Sequence, residues 1–435
     1  MFEYTSPLIR YNDKQLGGLK SSLTRLLASD PSCSSSRILA AALGMFSVPR
    51  PFALVHAQVV ETLGDTVVSS NHYIKLHTQA LLDWSLGYRS RATETWETIL
   101  LSYPFDMMTL KFALDTYFHL GNQHMLRDSV ARVLPIWESS SADRPLKSYL
   151  YGMHAFGLGE TNLIERAEKQ ARLGLELNEH DAWATHALAH LAEYQGQTSE
   201  GIDFLEKTER DWHQGDIIAP HIDWHWALYE LEQDHWEKAE EILQRCFLNT
   251  NGAELTRLKY TDAASLIYRL KLSGHPRPAH LNSSLQQFLD LHCRDHQTLF
   301  HDFHHYFVLD NFGDVEKKKD FVRSLKETVE SADTDTGKSY KLIGSRIFAA
   351  LEHFDEGNYA QVVELLYPIR YHTAVAGGSN AQRDILNLLL IHSAVYSNEN
   401  LHRELARRLI NERCDLRGST KTKMMENYTN AILTN

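Results

Sequence analysis

Two short patterns set titratable side chains in helical register. His186-x-x-x-His190-x-x-Glu193 places two imidazoles and a carboxylate at offsets of four and seven, which share one helix face. Trp183 stands one turn earlier on that face. Such a column either runs acid–base chemistry, with a carboxylate orienting an imidazole base, or holds a metal, or ties neighbouring helices together as buried polar packing. The spacing is not the HExxH of zinc proteases, so zinc has no motif behind it. The second pattern is His221-x-x-Trp224-His225. Acid–base roles are assigned to His186, His190, Glu193 and His225. Ligand contact is assigned to Trp183, His221 and Trp224, with the tryptophans as apolar walls, or as ordinary core. No cofactor is expected, and a metal at His186, His190 and Glu193 is the lesser alternative.

Two further groups carry weaker signals. Gly377-Gly378-Ser379 precedes Gln382-Arg383-Asp384. Ser379 is a natural N-cap, and a helix N-terminus with Arg383 either holds an anionic group or pairs with an acid on a neighbouring helix. It is no P-loop, since no GK[ST] follows. In His301-Asp302-Phe303-His304-His305, Asp302 and His305 share a helix face, and a solvated polar face is the preferred explanation. Asp302, His304, Gln382 and Arg383 complete the expected ligand contacts.

The elements that must position these groups are helices. Apolar residues recur at three- and four-residue spacing almost throughout, with little strict alternation. The segment from Leu126 to Leu134 is one example, with Pro135 expected to end it. A repeated turn emerges: Gly87 precedes Ala92 by five residues, Gly196 precedes Gly201, Asp234 precedes Ala239 and Gly357 precedes Val362. Trp236 and Tyr359 lie inside the last two turns. A Gly or Asp that closes helix A, an aromatic beneath, and a small residue on helix B together describe a tetratricopeptide hairpin. The fold class is therefore all-α: a right-handed α-solenoid of degenerate hairpins over residues 71–435, with residues 1–70 as a helical extension packed on the stack. His186–Glu193 and His221–Leu228 each precede such a turn, which makes both of them A helices on the concave side and joins the two patterns into one cluster.

A set of ordered blocks then carries a resemblance. Pro104-Phe105-Asp106, Phe118-His119-Leu120-Gly121, the run Asp128 to Pro135 with Trp137, Gly152-Met153-His154-Ala155-Phe156-Gly157-Leu158 and the run Ala182 to His190 come first. His221, Trp224-His225, the run Asp262 to Leu266, Phe300, Asp302, His304 and the run Gly377 to Asp384 follow. From near Ala80 almost to the C-terminus the chain resembles the tetratricopeptide repeat protein 38 family. The resemblance implies an α-solenoid and no settled activity. Two positions depart from it. Ile222-Asp223 follow His221 where the family usually carries Asn, and Asn380 stands where it usually carries His. If those positions touch a ligand, this chain's ligand or chemistry differs.

Composition bounds the function. The chain has 435 residues, 43% hydrophobic and 23% charged, which is that of a folded protein. A formal charge of -12 argues against nucleic acid as a partner, and the lack of a basic amphipathic run against a membrane surface. Cys33, Cys246, Cys293 and Cys414 are scattered, so no disulfide framework is expected. With no secretory pattern at the N-terminus, a cytoplasmic location is expected. The 24 histidines are unusually many. Two function classes compete. One is a small organic ligand bound, and transformed by His/Glu acid–base chemistry, in a concave His/Trp/Glu pocket. The other is a scaffold clasping a peptide or protein partner in the same groove. His, Trp and Glu on the groove, in place of Lys, Arg and Asn, favour the first and lean the reading toward an enzyme.

Overall fold

A computed structural model describes residues 23–47, 52–68, 71–141, 144–213, 218–248, 255–275, 283–330, 332–417 and 422–434. Among the described residues there is no strand. The helices are α1 (Ser34–Ser47), α2 (Phe52–Leu63), α3 (His72–Ser85), α4 (Arg89–Ser102), α5 (Met107–Leu120), α6 (Gln123–Glu138), α7 (Arg144–Glu160), α8 (Ile164–Leu177), α9 (Ala182–Tyr194), α10 (Thr198–Trp212) and α11 (Ala219–Glu232). Then come α12 (Trp236–Ile242), α13 (Arg257–Leu272), α14 (Ser283–His292), α15 (Leu299–Phe312), α16 (Val315–Val329), α17 (Asp335–Ser339), α18 (Ser345–Asp355), α19 (Tyr359–Leu366), α20 (Asn380–Tyr396), α21 (Asn400–Leu416) and α22 (Lys423–Thr434).

Consecutive helices pack in pairs, giving an α-solenoid of helical hairpins. The four turn residues singled out by spacing all take left-handed backbone: Gly87 at φ 87°, Gly196 at 67°, Asp234 at 67° and Gly357 at 74°. Gly121, Asn162, Gly274 and Gly313 close further turns in the same way. Pro135 does not end its helix. It sits inside α6, because in the last turn its carbonyl still accepts the Ser139 N–H at 3.1 Å.

Helices α7, α9, α11, α13 and α15 contact one another in sequence and form an inner row, while their partners lie outside. The outer helices α8, α10 and α16 are amphipathic, with charged outer faces. α11 and α15 are buried nearly all round. One apolar core runs from Trp224 to Ile432 and a second from Leu23 to Met153, the latter including α1 and α2.

The inner face is not an open groove. The segment before α20 crosses it: Gly378 N–H donates to the Phe118 carbonyl at 3.0 Å, and Arg269 donates to the Ala381 carbonyl at 2.8 Å. A Cβ on Gly121 would meet the Ala374 carbonyl oxygen at 1.6 Å, so backbone approaches backbone there. The superhelix also closes on itself at Ser90, whose N–H and hydroxyl both bond Asp335 at 2.9 Å. No described helix is long and apolar enough to cross a membrane. The four cysteines are free.

Candidate functional site: a buried histidine centre

Four successive inner helices supply the site. α9 starts at Asp181, whose carboxylate accepts the Trp183 and Ala184 N–H groups at 3.0 and 3.1 Å. Gly152 on α7 and alanines on α9 bring these two helices close, a Cβ at 152 lying 2.9 Å from the Ala184 nitrogen. The period of 3.6 then aims His186 and His190 inward from α9, and His221 and His225 inward from α11. Their rings meet: centroids are 4.5 Å apart for His186 and His190, 4.3 Å for His190 and His225, and 5.0 Å for His186 and His221. Each offers one nitrogen within 4.8 Å of the others. All four are buried.

Every ring but one is gripped from behind at Nδ1. His225 meets Glu193 at 3.2 Å, His221 meets Asp262 at 2.9 Å, and His190 meets the Tyr194 hydroxyl at 2.9 Å. Tyr194 in turn donates a short hydrogen bond to Glu160. With Tyr194 and the carboxylates accepting, Nδ1 of His190, His221 and His225 carries the proton and Nε2 carries the lone pair. His186 Nε2 lies 3.0 Å from His190 Nε2 and is left to donate to it. His186 Nδ1 and His225 Nε2 have no hydrogen-bond partner.

Burial and mutual repulsion hold His186 and His190 well below the usual imidazole range, and burial next to His221 does the same for His225. All three are neutral at pH 7. Burial raises the carboxyls of Glu160, Glu193 and Asp262, against the pull of Arg383, Arg417 and His221 respectively. Burial also lifts the Tyr194 hydroxyl, reinforced by Glu160.

Two tryptophans flank the centre. Trp224 is fully buried and stacks on His221 with ring planes 10° apart, and Trp183 meets His186 edge-on. The centre is nevertheless packed, and its histidines line no organic-sized pocket of their own. A cavity of about 380 Å³ lies beside it, bounded by α20 and α21. Of the residues singled out from sequence, Glu193 and Arg383 line that cavity, together with Tyr194. Arg383 donates to the Gly377 and Gly378 carbonyls, to Asn380 at 2.8 Å, and lies 3.6 Å from Glu160. It is thus engaged by the chain itself. Ser379 caps α20, with Gln382 completing a capping box. Asn380 donates its backbone N–H to Glu160 at 2.9 Å, and Ile222 is core. Of the two departures from the family pattern, Ile222 is therefore buried, whereas Asn380 is part-exposed and lines the cavity.

The fourth group differs from expectation. His301, Asp302, His304 and His305 are buried, because α15 is enclosed on every side. His304 bonds its own helix at the Phe300 carbonyl, and burial pushes its imidazole down to about 3. Asp302 belongs to a separate chain: Ser324 hydroxyl to His296 Nε2 at 3.0 Å, and His296 Nδ1 to Asp302 at 2.9 Å. This is the order of a hydrolytic triad, but the adjoining void of about 10 Å³ holds roughly one water. Neither Ser324 nor His296 was legible as a partner of Asp302, since 22 or more residues of irregular spacing separate Ser324 from the other two. Glu160, Tyr194 and Asp262 were also missed. Tyr194 lies at offset four from His190 on α9, and that spacing was the available signal.

No family model matches the chain. In structure it is similar to the human IFIT1 dimer with m7Gppp-AAAA, at a TM-score of 0.39 and 12% identity, over 92% of this chain and 90% of that one. The resemblance read from sequence thus stands as far as the helical-repeat architecture, which the helices themselves establish. One expectation is corrected here. Acidic net charge was taken to exclude a nucleic-acid partner, whereas this helical neighbour is solved with a capped oligonucleotide. Charge summed over a chain does not describe its local surfaces: Arg370, Arg383, Arg413 and Arg417 all line one cavity of this acidic protein.

Proposed function

We propose that the chain binds a small polar organic molecule in the 380 Å³ cavity and transforms it by acid–base chemistry at the cavity's inner wall. The observation that carries this reading is that Tyr194 and Glu193 line the cavity and also hydrogen-bond the histidines behind it. The volume falls within the range of small-molecule sites, about 300–1,000 Å³. Tyr194 keeps its proton at neutral pH and is the donor once its hydroxyl turns from Glu160 to the ligand; Glu193, held by Arg417 and His225, is the acceptor. His190 and His225 then act through these two groups as positioning residues. The competing scaffold reading is weakened by the crossing segment, since residues 374–381 of the chain occupy the inner face where a peptide would lie.

The test is a small-molecule screen on full-length protein by thermal shift and native mass spectrometry, repeated with Asn387→Trp. Asn387 lines the cavity and is part-exposed, so the indole fills the space without entering the core. A ligand at 100 times its Kd stabilises by about 2.7 kcal/mol, an easily read shift. The expected result is a ligand that stabilises the parent and fails to stabilise the variant. Equal stabilisation of both would place its site elsewhere and sink this reading.

A further inference from the structure

The cavity reading leaves the histidine centre itself unexplained. Its four imidazoles converge on one another and expose nothing to the cavity. Rings packed this tightly gain little from each other: one 3.0 Å contact joins His186 and His190, while His225 Nε2 and His186 Nδ1 are buried without a partner. Leaving such groups unsatisfied costs stability, because their desolvation is not repaid. A helix stack built for stability alone would place apolar residues there.

The geometry points to a metal site: a divalent first-row transition ion held by His186, His190, His221 and His225. Three features argue for it together. The four nitrogens already lie within 4.8 Å of one another, and tetrahedral ligation with metal–nitrogen bonds of about 2.0–2.1 Å needs edges of about 3.3 Å, so small ring rotations complete it. The proton of His190, His221 and His225 is fixed on Nδ1 by Tyr194, Asp262 and Glu193, which leaves Nε2 as a lone pair aimed inward. An acceptor behind each ligating histidine is the usual outer shell of such centres. Finally, Glu160, Glu193 and Asp262 supply buried negative charge around an ion that would otherwise enter neutral surroundings. Four imidazoles without a ligating thiolate or carboxylate suit zinc, cobalt, nickel or copper and disfavour calcium or magnesium. Glu193, which sequence spacing placed with His186 and His190 as a ligand, instead backs His225.

This inference goes beyond the cavity reading and does not need it. The experiment uses full-length protein stripped with chelator and titrated with Co²⁺, followed by visible absorption. The expected result is one equivalent bound with the intense bands of tetrahedral cobalt, displaced by one equivalent of Zn²⁺, and X-ray absorption of the zinc form showing four nitrogen neighbours with imidazole scattering. These measurements on the parent protein need no variant. His190→Ala with His225→Ala should abolish the bands, while His180→Ala, at an exposed histidine outside the centre, should retain them. Glu193→Gln keeps all four ligands and should weaken binding roughly 10–100-fold. Weak six-coordinate cobalt in the parent, fewer than half an equivalent bound, or bands undiminished in a folded double variant would overturn the proposal. If the double variant does not fold, the coordination seen by X-ray absorption decides alone.

Discussion

At the residue scale, the unit of this centre is an imidazole with its back held. Glu193 shows how much rests on one such group: it accepts from His225 at 3.2 Å and from Arg417 at 3.4 Å. Glu193→Gln retains the shape but offers an amide that is part donor. Either its oxygen faces His225 and Arg417 loses a charged partner, or its NH₂ faces His225 and the ring tautomer flips. The expected outcome is a loss of about 1–3 kcal/mol in chemical denaturation. Tyr194→Phe should show a similar loss, because Glu160 loses a donor while the His190 proton loses its acceptor. Unchanged stability in both variants would show that the grips behind the rings are not formed. The meeting of the histidines was legible in sequence, because offsets of four and seven mean one helix face whatever the fold. Of the three groups that grip these rings only Glu193 was legible, as part of the His186–His190 column. Asp262 comes from α13, 41 residues beyond His221, and no period connects the two.

At the element scale, short helices are placed by their turns. Spacing alone identified Gly87, Gly196, Asp234 and Gly357, since a left-handed residue is required wherever helix A reverses into helix B. The crossing segment before α20 was not legible. Gly377-Gly378 signalled a turn, but the feature it serves is distant in sequence, at Phe118 and Gly121, which receive it. Two glycines of similar backbone separate the two effects. Gly357→Ala, at φ 74° with nothing within 4 Å of a new Cβ, should cost only the left-handed penalty of about 1–2 kcal/mol. Gly121→Ala, at φ 65°, pays the same penalty and also drives a methyl into the Ala374 carbonyl. It should lose more stability than Gly357→Ala and expose residues 372–379 to limited proteolysis. Equal losses in the two variants, with no new cleavage, would mean that the segment does not close over α5.

At the scale of the whole molecule, the all-α solenoid followed from periodicity, whereas the burial of so many histidines did not, because a pattern of spacing cannot say which helices will be enclosed on every side. That burial has a consequence for acid stability. His119, His186, His190, His225, His301 and His305 are held well below the usual imidazole range by desolvation, His304 falls to about 3 and His392 to about 4. In the unfolded chain each takes up a proton near pH 6.5, and in the folded chain none does. Each therefore contributes stability that is present above about pH 6.5 and is lost as pH falls below it, by up to about 1.4 kcal/mol per pH unit per histidine. Buried carboxyls oppose this. Asp181 is raised to about 6, and Glu160, Glu193, Asp262 and Asp302 are also raised, so the folded chain binds their protons first. The named histidines outnumber these acids, and the unfolded-state histidines load first on acidification, so the slope between pH 7 and 5.5 has their sign. The urea midpoint of chelator-stripped protein should fall steeply over that interval, because burial is its cause. A midpoint independent of pH from 7 to 5.5 would mean that these histidines titrate freely in the folded chain and are not enclosed as described.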